Sequence, residues 1–408
     1  MIRHVFTLVW NRKRANALII TEILVSFLVL CTVVTTLTYY LMNWRRPLGF
    51  DYDNVLEVST DFVWRNQDPE SRAAILERLR RIEGELRAVD AVENAALARN
   101  TPYSNSASTW QFDANGRDFE IYWGTIRPEV RDILRLEVVT GRWLERGDEK
   151  LDWVPIVVNR RLAHDLFETE NPLGRPLPRF EDNGQPRERR ADEPDYRVVG
   201  VVSDYRRDGE FSQSPYIAFA PFDYDDVDVY PSRLMLLRLR PGTNVAIEER
   251  LSTLLHGLAP DWQFEFEWLP ERRRERLRDR MLVVGIAGTV AGFLLVMVGM
   301  GLVGVLWQNV SRRTRELGLR RALGATAPGV RLQILGELVA LATVAVVLGS
   351  ALFMQAPILG IAHWVSWKVY ALSLVASLAI LYYLVILCGL YPSWLATRIL
   401  PARALQYE

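Results

Sequence analysis

Cysteine and histidine are scarce in this sequence, and their scarcity argues against two kinds of site. The 408 residues include two cysteines and four histidines. Cys31 and Cys388 both lie within long apolar runs, so the polar part of the chain has no disulfide framework. The histidines are scattered along the sequence, at His4, His164, His256 and His363. We therefore expect neither structural disulfides nor a metal site.

Two common catalytic motifs are also missing. There is no G-x-x-x-x-G-K-[ST] phosphate loop, since Gly318 and Gly324 are followed by Ala325 and Thr326 without the lysine. The sequence has no G-x-S-x-G nucleophile elbow either. The formal net charge is zero, which gives no indication of a nucleic-acid partner. These absences predict a chain that is not an enzyme, binds no cofactor itself and has no nucleic-acid partner.

What the sequence does contain is four long apolar runs. They cover residues 17–42, 281–307, 334–354 and 369–394. A helix of about 20 apolar residues crosses the roughly 30 Å hydrocarbon layer, so each run predicts a transmembrane helix. The first run is longer than that of a signal peptide and lacks a small-residue cleavage site, so we expect a retained anchor.

Basic residues indicate how these helices cross the membrane. Arginine and lysine are concentrated in three short segments, 1–16, 308–333 and 395–408. We expect all three in the cytosol, with the loop 355–368 and the large segment 43–280 on the other side. Within the large segment, residues 271–280 carry six arginines and three acids. We interpret them as a solvated helical stalk that continues the second span, with contact to anionic lipid or a partner as the alternative.

The large outer segment has the pattern of two lobes. Strand, helix and strand are predicted in that order twice, at 54–60, 68–87 and 91–99 and again at 233–240, 244–258 and 262–268. Two such units can close one α/β sandwich, as in split βαβ folds. One lobe would then comprise residues 43–104 and 226–270, and the insertion 105–225 would form the other. The predicted fold class is an α-helical membrane protein with four transmembrane helices and a large two-lobed α/β domain between helices 1 and 2.

The insertion has strands of its own. They are predicted for "TWQFDA", "FEIYWGTI", "WVPIVVN" and "YRVVGVVSDY", with a short helix at "RRLAHDLF". Residues 179–195 have almost no large apolar side chains and indicate a solvated loop. We expect the aromatic side chains to fill a core or a sheet edge rather than to form a ligand site. They are Trp110, Tyr122, Trp123 and Trp153.

Two acids and two glycines stand out within the spans. Glu22 and Glu337 lie near the cytosolic ends of their spans, where a carboxylate in lipid is costly and usually has a partner. We favour a pair with a nearby arginine, and a role in a proton or substrate path is the alternative. Gly288 and Gly292 have the small-xxx-small spacing that lets helix backbones approach closely. They predict close packing of the second span, either within the chain or against a second subunit.

A basic segment, "SRRTRELGLRRALGAT" at 311–326, follows the second span directly. As a helix it would have two adjacent charged stripes, the first with Arg312, Glu316 and Arg320, the second with Arg313, Leu317 and Arg321. A short, stiff, charged helix against the bilayer suits a protein partner. Alternatively, its arginines only fix the topology and bind anionic lipid.

Several motifs give the sequence a family resemblance. "RTRELGLRRALGAT", "LGELVALATVAVVLG" and the closing "PARALQYE" resemble the cytosolic and membrane signature of the FtsX-like permeases, most closely the MacB branch of the type VII ABC transporters. "TGRWLERGDE", "VNRRLAHDLFETENPLGRPL" and "YRVVGVVSDYR" are similar to the periplasmic core of that branch. The motifs occur in the family's order around four spans, so the resemblance covers nearly the whole chain.

The resemblance implies a mechanotransmission permease. In that family a dimer of four-span subunits binds two ATPase subunits between spans two and three, and ATP-driven closure moves the outer domains to export a drug, peptide or similar substrate from the periplasm. The ATPase-coupling element would comprise Arg312, Arg313, Arg315, Glu316, Leu317, Gly318, Arg320 and Arg321. The lobe formed by 43–104 and 226–270 would be the Porter subdomain, 105–225 the Sabre subdomain and 271–280 the stalk. ATP and magnesium would be bound by the partner ATPase.

The resemblance also implies a location and further partners. The chain would lie in the bacterial inner membrane with cytosolic termini and a periplasmic domain. MacB carries its ATPase ahead of the first span, whereas 16 residues precede it here, so we expect the ATPase on a separate chain. The second permease would be another copy or a homologue, with a membrane-fusion protein and an outer-membrane channel as candidate partners. Lipoprotein extraction, cell-division signalling and a membrane sensor without an ATPase stay open as alternatives.

Overall fold

The structure is a computed structural model that forms two compact units. It describes residues 13–64, 67–104, 107–114, 117–169, 171–180, 186–188, 190, 193–312, 326–361 and 365–396. Asn43–Asp279 form one unit, here called the outer unit. Met1–Met42 and Arg280–Glu408 form the other, called the membrane unit.

Nine α-helices, one short 3₁₀ helix (Asp148–Lys150) and twelve strands occur in the described residues. The helices are α1 (Lys13–Trp44), α2 (Pro69–Arg87), α3 (Val130–Leu134), α4 (Arg160–Phe167), α5 (Ile247–Leu258), α6 (Leu269–Arg312), α7 (Ala327–Phe353), α8 (Gln355–Ile358) and α9 (Trp367–Ala396). The strands are β1 (Val55–Asp61), β2 (Val92–Leu97), β3 (Thr109–Ala114), β4 (Arg117–Ile126), β5 (Val138–Gly141), β6 (Val154–Asn159), β7 (Arg179–Phe180), β8 (Pro186–Arg187), β9 (Tyr196–Val202), β10 (Tyr216–Pro221), β11 (Leu234–Leu239) and β12 (Gln263–Trp268).

The four predicted transmembrane helices are confirmed. Helices α1, α6, α7 with α8, and α9 each contain a stretch long and apolar enough to cross a membrane. These stretches are Ile20–Trp44, Leu269–Gly304, Pro328–Ile358 and Trp367–Leu390. Helix α7 begins with a local cap, in which the Thr326 hydroxyl accepts a hydrogen bond from the Gly329 amide at 3.4 Å and Pro328 occupies the first turn.

The first lobe is a four-stranded antiparallel sheet in the order β12, β1, β11, β2. Leu56 and Val58 of β1 join the core that α2 and α5 cover, and Glu57 between them points to the opposite face. Helix α2 begins at Asp68, whose carboxylate accepts a hydrogen bond from the Ser71 amide at 2.8 Å. The two distant strand-helix-strand patterns therefore meet in one sheet, as predicted.

The insertion forms a six-stranded mixed sheet in the order β3, β4, β10, β6, β9, β5. Strand β10 is parallel to β4 and β9 is parallel to β6. The sequence predicted β3, β4, β6, β9 and α4 but missed β5 and β10. Strand β5 has four residues and ends at Gly141 with φ 75°, and β10 follows Pro215 and ends at Pro221. Both strands are thus bordered by residues typical of turns.

The predicted loop 179–195 contains a short hairpin, because β7 pairs with β8. Residues 181–185, 189, 191 and 192 lie outside the described residues. Of the predicted core or edge aromatics, Trp110 and Trp123 are half-buried against the core of the insertion, with ring centroids 5.8 Å apart. Trp153 is half-buried beneath the Arg197 guanidinium at 5.8 Å.

The two lobes share an apolar core. It lies on the sheet face opposite to α2 and α5, where Val55, Ala96 and Leu236 of the first lobe meet side chains of the second. The second lobe contributes Ile126, Ile133, Tyr205, Ile217 and Phe219, among others. Because one apolar cluster contains residues of both lobes, separating the lobes would expose it to water.

Candidate functional site

Most of the predicted coupling residues cannot be located. Arg312 is the last residue of α6. Arg313, Arg315, Glu316, Leu317, Gly318, Arg320 and Arg321 lie outside the described residues. The coupling element therefore stays a prediction. The candidate site described below lies within the outer unit, at the two ends of its chain.

The glycines of the spans have different surroundings. A Cβ atom added at Gly288 or Gly292 would meet nothing within 4 Å. By contrast, a Cβ added at Gly349 of α7 would lie 2.6 Å from the Phe27 ring of α1. Within the described residues of the single chain, the small-residue face of α6 around Gly288 and Gly292 is open.

The two acids within the spans are both half-buried. Glu22 of α1 lies beside Gly301 of α6, where an added Cβ would approach the Glu22 carboxylate to 2.9 Å. Gly301 thus leaves the space that the carboxylate occupies. Glu337 of α7 also interacts with another group of the protein. Pairing of these acids with an arginine stays a prediction.

One loop of the second lobe, residues 203–214, lies where the chain enters the outer unit. Arg206 of this loop is 2% exposed, and its guanidinium donates to the carbonyls of Asn43 at 2.9 Å and Arg46 at 2.8 Å. It also donates to the Ser212 and Glu210 carbonyls of its own loop. A buried arginine satisfied by several carbonyls makes strong charge-assisted hydrogen bonds. Arg206 therefore fastens the loop to the end of α1.

The same loop also holds the beginning of α6. Arg273, in the first turns of α6, donates from Nε to the Glu210 carboxylate at 2.5 Å, and Glu210 is nearly buried. The Arg273 guanidinium also lies over the Tyr52 ring, 4.8 Å from its centroid. We call the assembly of residues 43–52, 203–214 and 269–276 the joint.

A second ion pair links α6 to the sheet of the first lobe. Strand β12 ends at Trp268 and α6 begins at Leu269, so no loop separates them. Arg272 donates to the Glu57 carboxylate at 2.6 Å and also contacts Glu267. Glu57 is 1% exposed, and this burial raises its pKa against the opposing effect of Arg272. The start of α6 is therefore joined to β1 and β12 by charge as well as by the chain itself.

Close backbone contact in the joint depends on glycine. Gly49 has φ 81°, a left-handed conformation that disfavours other residues. An added Cβ there would lie 1.7 Å from the Asp204 carbonyl oxygen, so no side chain fits. Gly49 thus lets the chain that follows α1 pass directly against the loop 203–214.

Residues 271–280 are helical and continue the second span, as predicted, and six of the ten are exposed. They are not a free stalk, however, because three of their arginines bind other parts of the outer unit. Arg272 and Arg273 do so through the ion pairs above, and Arg276 donates to the Tyr103 carbonyl at 3.1 Å. Arg274, by contrast, faces solvent. One signal for this was present in "NVLEVST", where Glu57 stands alone in a buried strand and requires a partner.

Comparison with known proteins identifies the family of this chain. The family model described as MacB-like periplasmic core domain matches residues 23–254. The chain belongs to the MacB/FtsX-like permeases. A second model, described as FtsX-like permease C-terminal, matches residues 288–401. As a member of this family, the protein is an ABC transporter permease with a MacB-like extracellular domain, and the predicted fold class is confirmed.

Two relatives and one solved structure show how far the similarity of this MacB/FtsX-like permease extends. The ABC transporter permease YknZ of Bacillus subtilis is 31% identical over 288 residues, which are 68% of this chain and 68% of YknZ. The macrolide export ATP-binding/permease protein MacB of Bdellovibrio bacteriovorus is 23% identical over 70% of this chain, but the match spans only 44% of that protein. One solved structure that is similar is the crystal structure of the periplasmic region of MacB from Actinobacillus actinomycetemcomitans. The match covers 56% of this chain and 94% of that one, with 16% sequence identity and a TM-score of 0.37.

Proposed function

We propose that this permease is the membrane subunit of an ATP-driven exporter whose ATPase, on a separate chain, moves the outer unit. The observation that supports this most is the joint. A single loop, 203–214, binds the end of α1 through Arg206 and the start of α6 through Glu210. A shift of either helix is therefore passed to the second lobe.

Helix α6 is the proposed route for the motion. It is continuous from Leu269 to Arg312, which corresponds to about 66 Å at 1.5 Å per residue. One end carries the proposed ATPase-binding segment 308–333, and the other end carries the arginines of the joint. Because β12 passes into α6 without a loop, no flexible segment lies between the helix and the sheet of the first lobe to absorb a displacement of the helix.

The proposed movement drives substrate outward from the periplasm rather than through the bilayer. The shared core of the two lobes favours their displacement as one body. MacB relatives are described as macrolide export proteins, and PvdT of Pseudomonas aeruginosa as a pyoverdine export protein. By this likeness the cargo is a drug, a peptide or a similar periplasmic molecule.

A second permease, either another copy or a homologue, is proposed to pack against α6. Only 11% of the most apolar stretch of this helix is buried, whereas 39% of the corresponding stretch of the third span is buried. Gly288 and Gly292 lie on it with open space beside them. Small residues on an uncovered span let two helix backbones come close, which suits a dimer interface.

The remaining assembly follows from the family. Two ATPase subunits, each with ATP and magnesium, would bind the two permeases from the cytosol at residues 308–333. The membrane would be the bacterial inner membrane, with both termini of the permease in the cytosol. A periplasmic membrane-fusion protein and an outer-membrane channel are the further partners proposed for export.

The proposed coupling is tested by reversing two charges in the segment after α6. Arg312→Glu with Arg320→Glu would place two acids on the stripe that carries Glu316, with little change in helix propensity. Losing one buried charge contact at an interface costs about 2 to 5 kcal/mol, so two losses should abolish stable ATPase binding. The measurement is the amount of ATPase that co-purifies with equally expressed wild-type and variant permease.

A matched control separates coupling from a general effect of charge. Arg274→Glu with Arg278→Glu changes the charge equally at two exposed positions of the outer unit. We expect this control to retain the ATPase and to hydrolyse ATP normally. If the Arg312 and Arg320 variant also retains and stimulates the ATPase, the proposed role of these arginines is wrong.

A further inference from the structure

A polar groove of about 710 Å³ lies in the outer unit where the chain crosses between the lobes. Its walls are Arg99, Asn100, Ala107 and Ser108, which follow β2, and residues 230–233, which precede β11. Its floor is the sheet face opposite to α2 and α5, where Ser59 and Asp61 of β1 lie beside Glu265 and Gln263 of β12. Small-molecule sites have volumes of roughly 300 to 1,000 Å³, so the groove is large enough for a ligand. No residue of the joint lines it.

One arginine of this crossover groove has no acidic partner among the residues that the structure describes. Arg99 is half-buried, donates to the Tyr230 carbonyl at 2.8 Å and lies over the Tyr230 ring at 5.6 Å. Within the described residues it forms no ion pair, and burial lowers its pKa. Arg233 of the same groove is different, because Asp61 pairs with it at 3.1 Å. Arg99 therefore presents unused N–H donors and an uncompensated positive charge to the groove.

The floor of the groove also offers an unpaired negative charge. Glu265 is exposed on β12 and forms no ion pair in the part of the chain that the structure describes. Asp61, its neighbour on β1, is already paired with Arg233. The groove thus contains one arginine, Arg99, and one glutamate, Glu265, that form no ion pair among the described residues. A ligand complementary to both has a negative and a positive charge.

The walls of the groove are held in place before any ligand binds. The Asn100 side chain is 2% exposed and donates to the carbonyls of Ser108 at 3.0 Å and Trp123 at 2.9 Å. On the other crossover, the Ser232 hydroxyl donates to the Ala98 carbonyl at 2.6 Å. A preformed site loses little conformational freedom on binding, which favours affinity for a small ligand.

We propose that the crossover groove binds a small zwitterion of the amino-acid or short-peptide class. Its carboxylate would bind the Arg99 guanidinium, which forms strong hydrogen bonds with carboxylates. Its ammonium group would face Glu265, and Tyr230 would give apolar contact. As a cargo site the groove rests on the proposed export function, but binding itself requires neither ATP nor a partner chain.

The test is calorimetric titration of the full-length permease in detergent. The probes are tetra-alanine with both termini free, its C-terminal amide and its N-acetyl form. We expect saturable binding of free tetra-alanine, and about tenfold or greater weakening for the amide and for the acetylated peptide, as loss of a charged hydrogen bond predicts. Arg99→Gln should lose the preference for the free acid over the amide. Arg250→Gln, at an exposed arginine of α5, should bind like the wild type.

A second variant keeps the proposal testable if Arg99→Gln does not fold. Glu265→Gln changes an exposed side chain and should lose only the preference for the free amine over the acetylated peptide. Equal binding of acid and amide by the wild-type protein, or no saturable binding of tetra-alanine, would overturn the proposal. Neither result would contradict the proposed export function, because co-purification of the ATPase tests that function independently.

Discussion

Breaking the ion pair between Arg273 and Glu210 is the most direct test of the joint. Arg273→Met removes the charge but keeps a long, unbranched side chain with good helix propensity. Arg274→Met makes the same change one position along α6. There the arginine side chain is 71% exposed, pairs with Glu271 at 3.3 Å and donates to the Pro270 carbonyl at 3.4 Å, both within its own helix. The two variants have equal charge and composition and differ in the contact that is lost.

The expected cost follows from the burial of the pair. The side chains of Arg273 and Glu210 are 24% and 7% exposed. Removing one partner of a fully buried pair costs about 3 to 5 kcal/mol, and partial exposure of Arg273 reduces this to roughly 2 to 3 kcal/mol. Detachment of the loop from α6 should then be roughly 30 to 150 times more frequent. For Arg274→Met we expect less than about 0.5 kcal/mol.

The assay separates ATP hydrolysis from transport. Permease and ATPase are purified together, reconstituted in liposomes, and both rates are measured in the same preparation. Because Arg273 lies far along α6 from the proposed ATPase-binding segment, Arg273→Met should bind the ATPase and hydrolyse ATP normally. Transport per ATP should fall about tenfold or more, in line with the estimated detachment. Glu210→Gln should have the same effect, and the double variant should add little, because both changes remove one contact.

One result would refute this reasoning. If Arg273→Met exports as much substrate per ATP as wild type and Arg274→Met, the Arg273–Glu210 contact is not on the path of the motion. The joint would then only stabilise the outer unit, and a lower thermal transition with normal coupling would show it.

Three further predictions concern topology and stability. A cysteine at Gly242 should react with an impermeant thiol reagent in intact cells and one at Ala325 should not, because the arginine pattern assigns the two positions to opposite sides of the membrane. The reverse labelling would overturn the topology. Residues 43–279 expressed alone should unfold in one cooperative thermal transition, because the outer unit contains its own apolar cores; aggregation without a transition would contradict this. Gly49→Ala should destabilise that unit by more than about 3 kcal/mol, because the new Cβ would clash with Asp204. Gly242→Ala, also at positive φ but in open space, should cost about 1 kcal/mol, and equal losses of stability in thermal unfolding would contradict the clash.

The parts of the fold that the sequence predicted are those with local signals. The four spans are evident from long apolar runs alone. Helix α2 shows Asp68 as a cap, Pro69 in its first turn and an apolar stripe, so its start was predicted to within one residue. Strand β12 alternates polar and apolar residues throughout, and β11 begins with four apolar residues, so both were predicted from their local pattern.

The joint could not be predicted, because its contacts connect distant positions. Arg206 occurs in "SDYRRDGE", which has the composition of a solvated turn, and its partners Asn43 and Arg46 precede it by about 160 positions. Arg273 and Arg274 are adjacent and chemically identical, yet one is paired with Glu210 and the other faces solvent. Local sequence gives the type of a charged residue but not the distant group that neutralises it.

The pairing of β2 with β11 bears on how such permeases can diversify. The second lobe leaves the sheet after β2 and returns at β11, and these strands are adjacent, with the Ala98 amide donating to the Leu234 carbonyl at 3.0 Å. The whole lobe is therefore an elaborated hairpin loop, and each doubling of loop length costs only about 0.6 kcal/mol. A lobe of different size or surface can be exchanged at this point without altering the strands next to α6, provided that it still covers Val55, Ala96 and Leu236 and supplies a loop that binds α1 and α6 as residues 203–214 do.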